Sequence, residues 1–195
     1  MVHHEGLLEL DAMYLFEWSQ RVTRYRGQPI TMPYPDGVAL RRYTPDFELG
    51  LIDGTTVLIE IKPTANLQHS DVAHKLDCIS HHLECSQQRF EIVTDQVIRL
   101  QPRLNNLKQI YHRAMRFPVT TASLGVGLQR ITHKFPMHLH ELSERLATQR
   151  ITPFCLLLAG LIHFDLEQPL TQDTTLHLTE ESTHVFLFSQ KELGF

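Results

Sequence analysis

The stretch from Tyr43 to Lys62, YTPDFELGLIDGTTVLIEIK, restricts the chain's fold more than any other. Asp53-Gly54 is a hairpin-type turn signal. The run that follows, TTVLIEIK, is β-branched and apolar enough to be a strand. Residues two apart on a strand share a face, so Glu60 and Lys62 point the same way, roughly 7 Å apart at Cβ. A carboxylate and an ammonium inside an apolar strand are costly to bury unpaired. Two arrangements justify them: a salt-bridged pair on the solvated face of an edge strand, or a divalent ion with a scissile phosphate beside it. Asp46, behind Pro45 on the other arm of the hairpin, favours the second, as does a third carboxylate upstream.

The chain around this stretch has 195 residues, enough for one domain or two small ones. At 42% hydrophobic and 21% charged it has an ordinary globular composition. It has no apolar run of membrane-span length, and MVHHEGLLEL lacks the layout of a signal peptide. Cys78, Cys85 and Cys155 are an odd number without a disulfide framework, which points to a reducing compartment. The net charge of -4 argues against an avid, free-standing nucleic-acid binder. Arg21, Arg24, Arg26, Arg41 and Arg42 nevertheless form a local basic rim beside the hairpin. The balance predicts weak intrinsic DNA affinity and help from partners.

The remaining elements follow from periodicity. Residues 5–18 read as a helix with Leu7, Leu10, Met13, Tyr14 and Trp18 at helical spacing. Glu5 and Glu9 fall on one face of it. Val22 to Tyr25 and Ile30 to Met32 read as short strands, Asp36-Gly37 as a tight turn, and residues 38–49 as renewed strand. Pro45 belongs at a strand start, a bulge or an edge. The strand from Thr55 is expected to be central. A helix over Ser70–Leu83 carries the stripe Val72, Leu76, Ile79, Leu83. The strand Phe90 to Val93 follows, so strand, helix, strand makes a parallel crossover. A helix over Pro102–Met115 closes a mixed α/β first domain, 1–118. The second domain, 119–195, has helices over Met137–Leu146 and Phe154–Leu161, the latter capped by Thr152-Pro153. Strands at Ile162–Leu166 and Thr174–Thr179 complete a small winged-helix-like α+β layout. From residue 121 onward there are five basic residues against eight acidic, which favours protein docking over groove reading.

Asp46 and Glu60 are close enough on the two arms to share a hard cation, Mg2+ or Mn2+. Such an ion polarises a phosphate and activates water for phosphodiester hydrolysis. Lys62 can position or deprotonate that water and offset phosphate charge. Glu9, on the helix over the sheet, can complete the metal site, and the carbonyl of Ile61 is a further candidate ligand. His3 and His4 can approach the site from the start of the first helix. Cys78, His82 and Cys85 fall at helical spacing, but a closed zinc site usually needs a turn between its ligand pairs. Gly125-Val126-Gly127 lacks the lysine and the length of a phosphate loop.

The segments HHEGLLELDAMYLFEW, RYRGQP, RRYTPDF, VLIEIKP and FEIVTDQVIRLQPRLNNLKQIY, in that order, resemble the TnsA-type transposon endonuclease family. The resemblance covers roughly residues 3–116. It implies a restriction-endonuclease-like fold of the PD-(D/E)xK superfamily: a mixed sheet flanked by helices. It matches Glu9 to the family's helix carboxylate, Asp46 to its PD aspartate, and Glu60 and Lys62 to its acidic-x-Lys pair. Gln28 matches its QP turn, and His4, Arg24, Arg26, Gln28, Arg41 and Arg42 are the candidate DNA contacts. Glu5 competes with Glu9 as helix ligand, and the family's extra N-terminal segment is short or missing here. The implied activity is cleavage of the 5′ ends of a transposon in double-stranded DNA, alongside a DDE transposase that cuts the other strand. The implied partners include an AAA+ ATPase regulator, docked partly on the C-terminal domain, and some relatives serve CRISPR-guided transposons. The implied setting is the bacterial cytoplasm. A restriction or repair nuclease of the same fold, and a DNA-dependent assembly scaffold with a dead site, remain open alternatives.

Overall fold

A computed structural model describes residues 6–116, 121–149 and 151–179. They fall into two compact units that divide between Leu100 and Gln101.

The first unit opens with helix α1 (Leu7–Trp18). Strands β1 (Val22–Gly27), β2 (Met32–Asp36), β3 (Ala39–Tyr43), β4 (Phe47–Leu51) and β5 (Thr56–Lys62) follow. Helices α2 (Thr64–Leu67) and α3 (Ser70–Cys85), strand β6 (Arg89–Thr94) and helix α4 (Asp95–Ile98) complete it. The main sheet has the order β1-β4-β5-β6. Its first three strands are antiparallel, and β6 runs parallel to β5 after the α3 crossover. This is the mixed α/β arrangement expected, with β5 an inner strand.

The stretch 38–49 is not one strand. β3 pairs with β2 in a separate two-stranded sheet, while β4 joins the main sheet. The break falls at Thr44-Pro45, where proline removes a ladder donor and restricts the residue before it. The short strand placed at Ile30 to Met32 is instead Met32–Asp36, which runs through Pro33 and Pro35. Among the described residues β2 pairs on one edge only, with β3, so its prolines leave no ladder bond of that pair unmade. Gly37 supplies the positive φ, 60°, of the turn into β3.

Helix α1 buries Asp11, Ala12, Leu15, Phe16 and Trp18, whereas Leu7 is 73% exposed. The apolar stripe through Leu7, Leu10 and Tyr14 is therefore not the buried face. The helix is apolar around most of its circumference, so spacing alone did not select a side. Phe16 does: its ring lies 5.3 Å from Phe47 and 5.5 Å from Tyr25. Asp11 is held at 2.8 Å by Nε of Arg99.

The second unit is a small α+β body. It contains α5 (Arg103–Ala114), α6 (Thr121–Gln129), β7 (Met137–His138), α7 (Leu139–Leu146), α8 (Pro153–Leu158), β8 (Ile162–His163) and β9 (Thr175–Leu178). Its strands form an antiparallel sheet in the order β7-β9-β8. By packing, α5 belongs here, one helix ahead of the division at residue 118 drawn from the chain order. The link is Asn106: its amide donates to the carbonyls of Leu166 and Gln168 at 2.9 and 2.8 Å, and accepts from Leu170 N at 3.0 Å. The helix expected from Met137 begins two residues later, because Met137 and His138 pair with β9. Helix α6 was not anticipated. Its sequence, TASLGVGLQ, has two glycines and little amphipathic contrast. Thr152 caps α8, accepting from Cys155 N, with Pro153 in the first turn as expected.

Candidate active site

Pairing between β4 and β5 runs from Gly50↔Thr56 to Phe47↔Ile59 and stops. β5 continues to Lys62, still paired to β6 on its other edge. The edge vacated by β4 is met by a side chain: Asp46 Oδ2 accepts the Ile61 N–H at 2.7 Å. In a pleated strand the N–H and C=O of one residue face the same edge, so the Ile61 carbonyl faces the Asp46 side. Strand alternation puts Glu60 and Lys62 together, with Nζ 2.8 Å from Oε1. Glu60 is 2% exposed.

Three further groups hold these residues in place. The Tyr43 hydroxyl donates to Glu60 Oε2 at 2.6 Å, and Tyr43 is itself buried. Gln28, in the left-handed region at φ 47°, donates its N–H to the Asp46 carbonyl at 2.8 Å. Asp95 Oδ1 accepts from both the N–H and the hydroxyl of Thr64 at 2.7 Å, fixing the chain just beyond Lys62. Tyr43 carries no signal of its role in the chain. It is one of five tyrosines and lies 17 positions from Glu60. Only the split of the 38–49 stretch turns it onto the carboxylate.

The electrostatics follow from burial and crowding. Burial, then the Glu60 charge, pushes the Asp46 carboxyl up to about 6, against the pull of the Ile61 N–H and Lys62. Glu9 on α1 adds to the rise, so its charge reaches the site. For Lys62, burial works to lower the pKa, but the Glu60 hydrogen bond and charge, with Asp46 and Glu9, raise it overall. The lysine is thus held as an ammonium, which suits charge and positioning better than proton abstraction. Burial, then Glu60, raises the Tyr43 hydroxyl and keeps it a neutral donor.

The donors around Asp46 have the chemistry of hard-cation ligands. Asp46, Glu60, Glu9 and the Ile61 carbonyl offer oxygen only, and the mutual repulsion of Asp46 and Glu60 is what such a cation relieves. The basic rim is less free than its composition implies. Arg26 forks onto Glu48, with both contacts at 3.1 Å, and Arg41 pairs with Asp36. Arg24 and Arg42 are exposed, and Gln28 acts on the site through its backbone. His3, His4 and Glu5 lie outside the described residues.

A second cluster lies elsewhere in the first unit. Among the described residues, the three-ligand group whose atoms all come within 4.8 Å of one another is Asp36, His74 and Cys78, not the Glu9–Asp46–Glu60 set. Its donors have the chemistry to coordinate a metal. The helical grouping Cys78, His82, Cys85 is not what forms: Cys78 approaches His74 and Cys85 approaches His81.

Residues 19–95 match the family model described as TnsA-like endonuclease N terminal. The TnsA-type resemblance holds over this span, which contains Asp46, Glu60 and Lys62, while Glu9 precedes it. The match supports a transposition-associated nuclease role at the level of the family. No curated protein matches the chain. Among the described residues no helix is long and apolar enough to cross a membrane.

Proposed function

We propose that the TnsA-like segment and α1 form a Mg2+- or Mn2+-dependent DNA endonuclease of restriction-endonuclease-like fold, which cuts the 5′ ends of a transposon beside a DDE transposase. The observation that carries this reading is the Asp46 carboxylate seated on the open edge of β5, next to the Glu60–Lys62 pair. Asp46, Glu60, Glu9 and the Ile61 carbonyl would hold the cation. When bound, it supplies positive charge to the scissile phosphate and lowers the pKa of nearby water.

The chain's own residues do the rest. Lys62, a fixed ammonium, offsets charge building on the phosphate and orients the attacking water from the Glu60 side. Tyr43 locks the Glu60 rotamer, so that one carboxylate holds the lysine and would be in place for the cation. Gln28 holds the Asp46 backbone, and exposed Arg24 and Arg42 supply phosphate contacts. The second unit, with its helix–helix–strand–helix–helix–strand–strand order, is read as a winged-helix-like dock for the AAA+ ATPase regulator.

The test is transposon-end DNA incubated in Mg2+ with this chain, its DDE transposase and the regulator. The expected result is a cut at both strands, with Asp46→Ala losing the 5′ cut and keeping the transposase's cut. Cleavage of the 5′ strand by Asp46→Ala would remove that residue from the mechanism. Metal-dependent cutting without a transposase partner would point to a restriction or repair nuclease. No metal binding and no cut would leave a scaffold.

A further inference from the structure

We propose that Asp36, His74 and Cys78 form a zinc site that clamps the β2–β3 hairpin to helix α3, distinct from the oxygen-lined centre. His74 Nε2 lies 2.9 Å from Asp36 Oδ1 and 3.7 Å from Cys78 Sγ, and all three ligand atoms lie within 4.8 Å of one another. Ligands held at about 2.0–2.3 Å around a tetrahedral zinc stand roughly 3.3–3.8 Å apart. One ion therefore fits among these atoms with shifts of under about 1 Å.

The sequence and the packing both prepare this geometry. His74 and Cys78 are one turn apart on α3 and share a face. Asp36 ends β2 at the hairpin turn. The two elements are already packed: Ile79 and Leu83 of α3 share a buried cluster with Tyr34 and Tyr43 of the hairpin, and Cys78 rests against it. Arg41 Nε engages the other Asp36 oxygen, Oδ2, which fixes the carboxylate and leaves Oδ1 as a single-toothed ligand. Zinc with one thiolate and one carboxylate makes a neutral centre, and three protein ligands leave one position to water. Thiolate and imidazole select zinc over magnesium, whereas an all-oxygen centre suits a hard cation such as magnesium. His81 and Cys85, two turns further along α3, approach to 3.8 Å and serve as an internal control, with no third ligand grouped with them among the described residues.

The experiment is titration of the metal-free full chain with Co2+, followed by displacement with Zn2+. One equivalent of Co2+ is expected to raise a thiolate-to-cobalt charge-transfer band, which one equivalent of Zn2+ removes and excess Mg2+ does not. Cys78→Ser should abolish the band. His74→Ala and Asp36→Asn should weaken binding by roughly tenfold or more, with circular dichroism unchanged. Cys85→Ser and Asp46→Ala should leave the band intact, so the outcome is independent of the nuclease reading. Zn2+ should raise the thermal midpoint of the wild type and not of Cys78→Ser. A wild type without the band, a band that survives Cys78→Ser, or one lost in Cys85→Ser would overturn the site.

Discussion

Glu60 in the first unit and Asn106 in the second are both closed off from water, at 2% and 0% exposure, but they are satisfied in different ways. Asn106 is neutral and bonds only backbone: two carbonyls and one N–H of the Leu166–Leu170 loop. Its amide knots a loop to a helix, a structural task that a fully matched group performs at low cost. Glu60 is held by two side chains, the Tyr43 hydroxyl and the Lys62 ammonium, with Asp46 crowding it. A buried carboxylate kept in place by ionisable neighbours is a weak way to stabilise a fold. Under the proposed function, the contrast separates burial that serves packing from burial that serves chemistry.

That contrast can be broken by substitution. The largest expected effect is on Glu60→Gln, which keeps the shape and an acceptor for Tyr43 but removes the charge. Cleavage should fall about 10³-fold, ~4 kcal/mol of transition-state stabilisation, while denaturant unfolding changes by no more than about 1 kcal/mol. A large stability loss with cleavage retained would make Glu60 a structural residue after all. Asn106→Leu should do the opposite. It takes the partner from two buried backbone groups, the Leu166 carbonyl and the Leu170 N–H, and from the carbonyl of exposed Gln168, and should lower stability by about 3 kcal/mol, with single-turnover cleavage by the folded fraction within about twofold of wild type.

Tyr43→Phe sharpens the boundary between the two kinds of burial. It removes one hydrogen bond from Glu60, so kcat should drop roughly tenfold with KM for DNA unchanged, at a stability cost of about 1 kcal/mol. A change in KM alone would deny Tyr43 its positioning role. The smallest effect concerns pH. Asp46 must lose its proton to hold a cation, so apparent Mg2+ affinity, read by calorimetry, should fall toward tenfold per pH unit below about 6. The stability sign is fixed by the same shift. The folded pKa is raised above the ordinary 3.8, so the stability it contributes is present below pH 3.8 and lost as pH rises through about 6. The metal-free Asp46→Asn variant should lack that loss when its pH–stability curve is compared with wild type.

Much of the candidate site was legible along the chain because its rules are local. The two-residue period of β5 placed Glu60 and Lys62 on one face, and Asp53-Gly54 turned β4 back onto β5, with Gly54 at φ 83°. The α3 stripe and the strand after it announced the parallel crossover. Local rules ran out where two segments compete for one partner. Nothing near Pro45 says that the residues before it pair with β2 and those after it with β1 and β5. The same limit applies to Cys78: the sequence reading groups it with His82 and Cys85, while His74 stands one turn back at the same spacing. The hairpin carboxylate, 38 positions from His74, is what singles out the latter.

The sequence by itself determined the chemistry on offer: an acidic-x-lysine strand, an aspartate behind a proline, and a helix glutamate. Backbone periodicity sorts neighbouring residues onto faces with no help from the rest of the chain. Only the tertiary structure decided that the β4–β5 pairing stops at Phe47, the residue after Asp46, so that the Asp46 carboxylate, not a neighbouring backbone, meets Ile61. It also decided that Tyr43 reaches Glu60 and that Asn106 ties α5 to the second unit. These contacts join residues far apart in the chain, and their geometry is set by the packing of whole elements on one another.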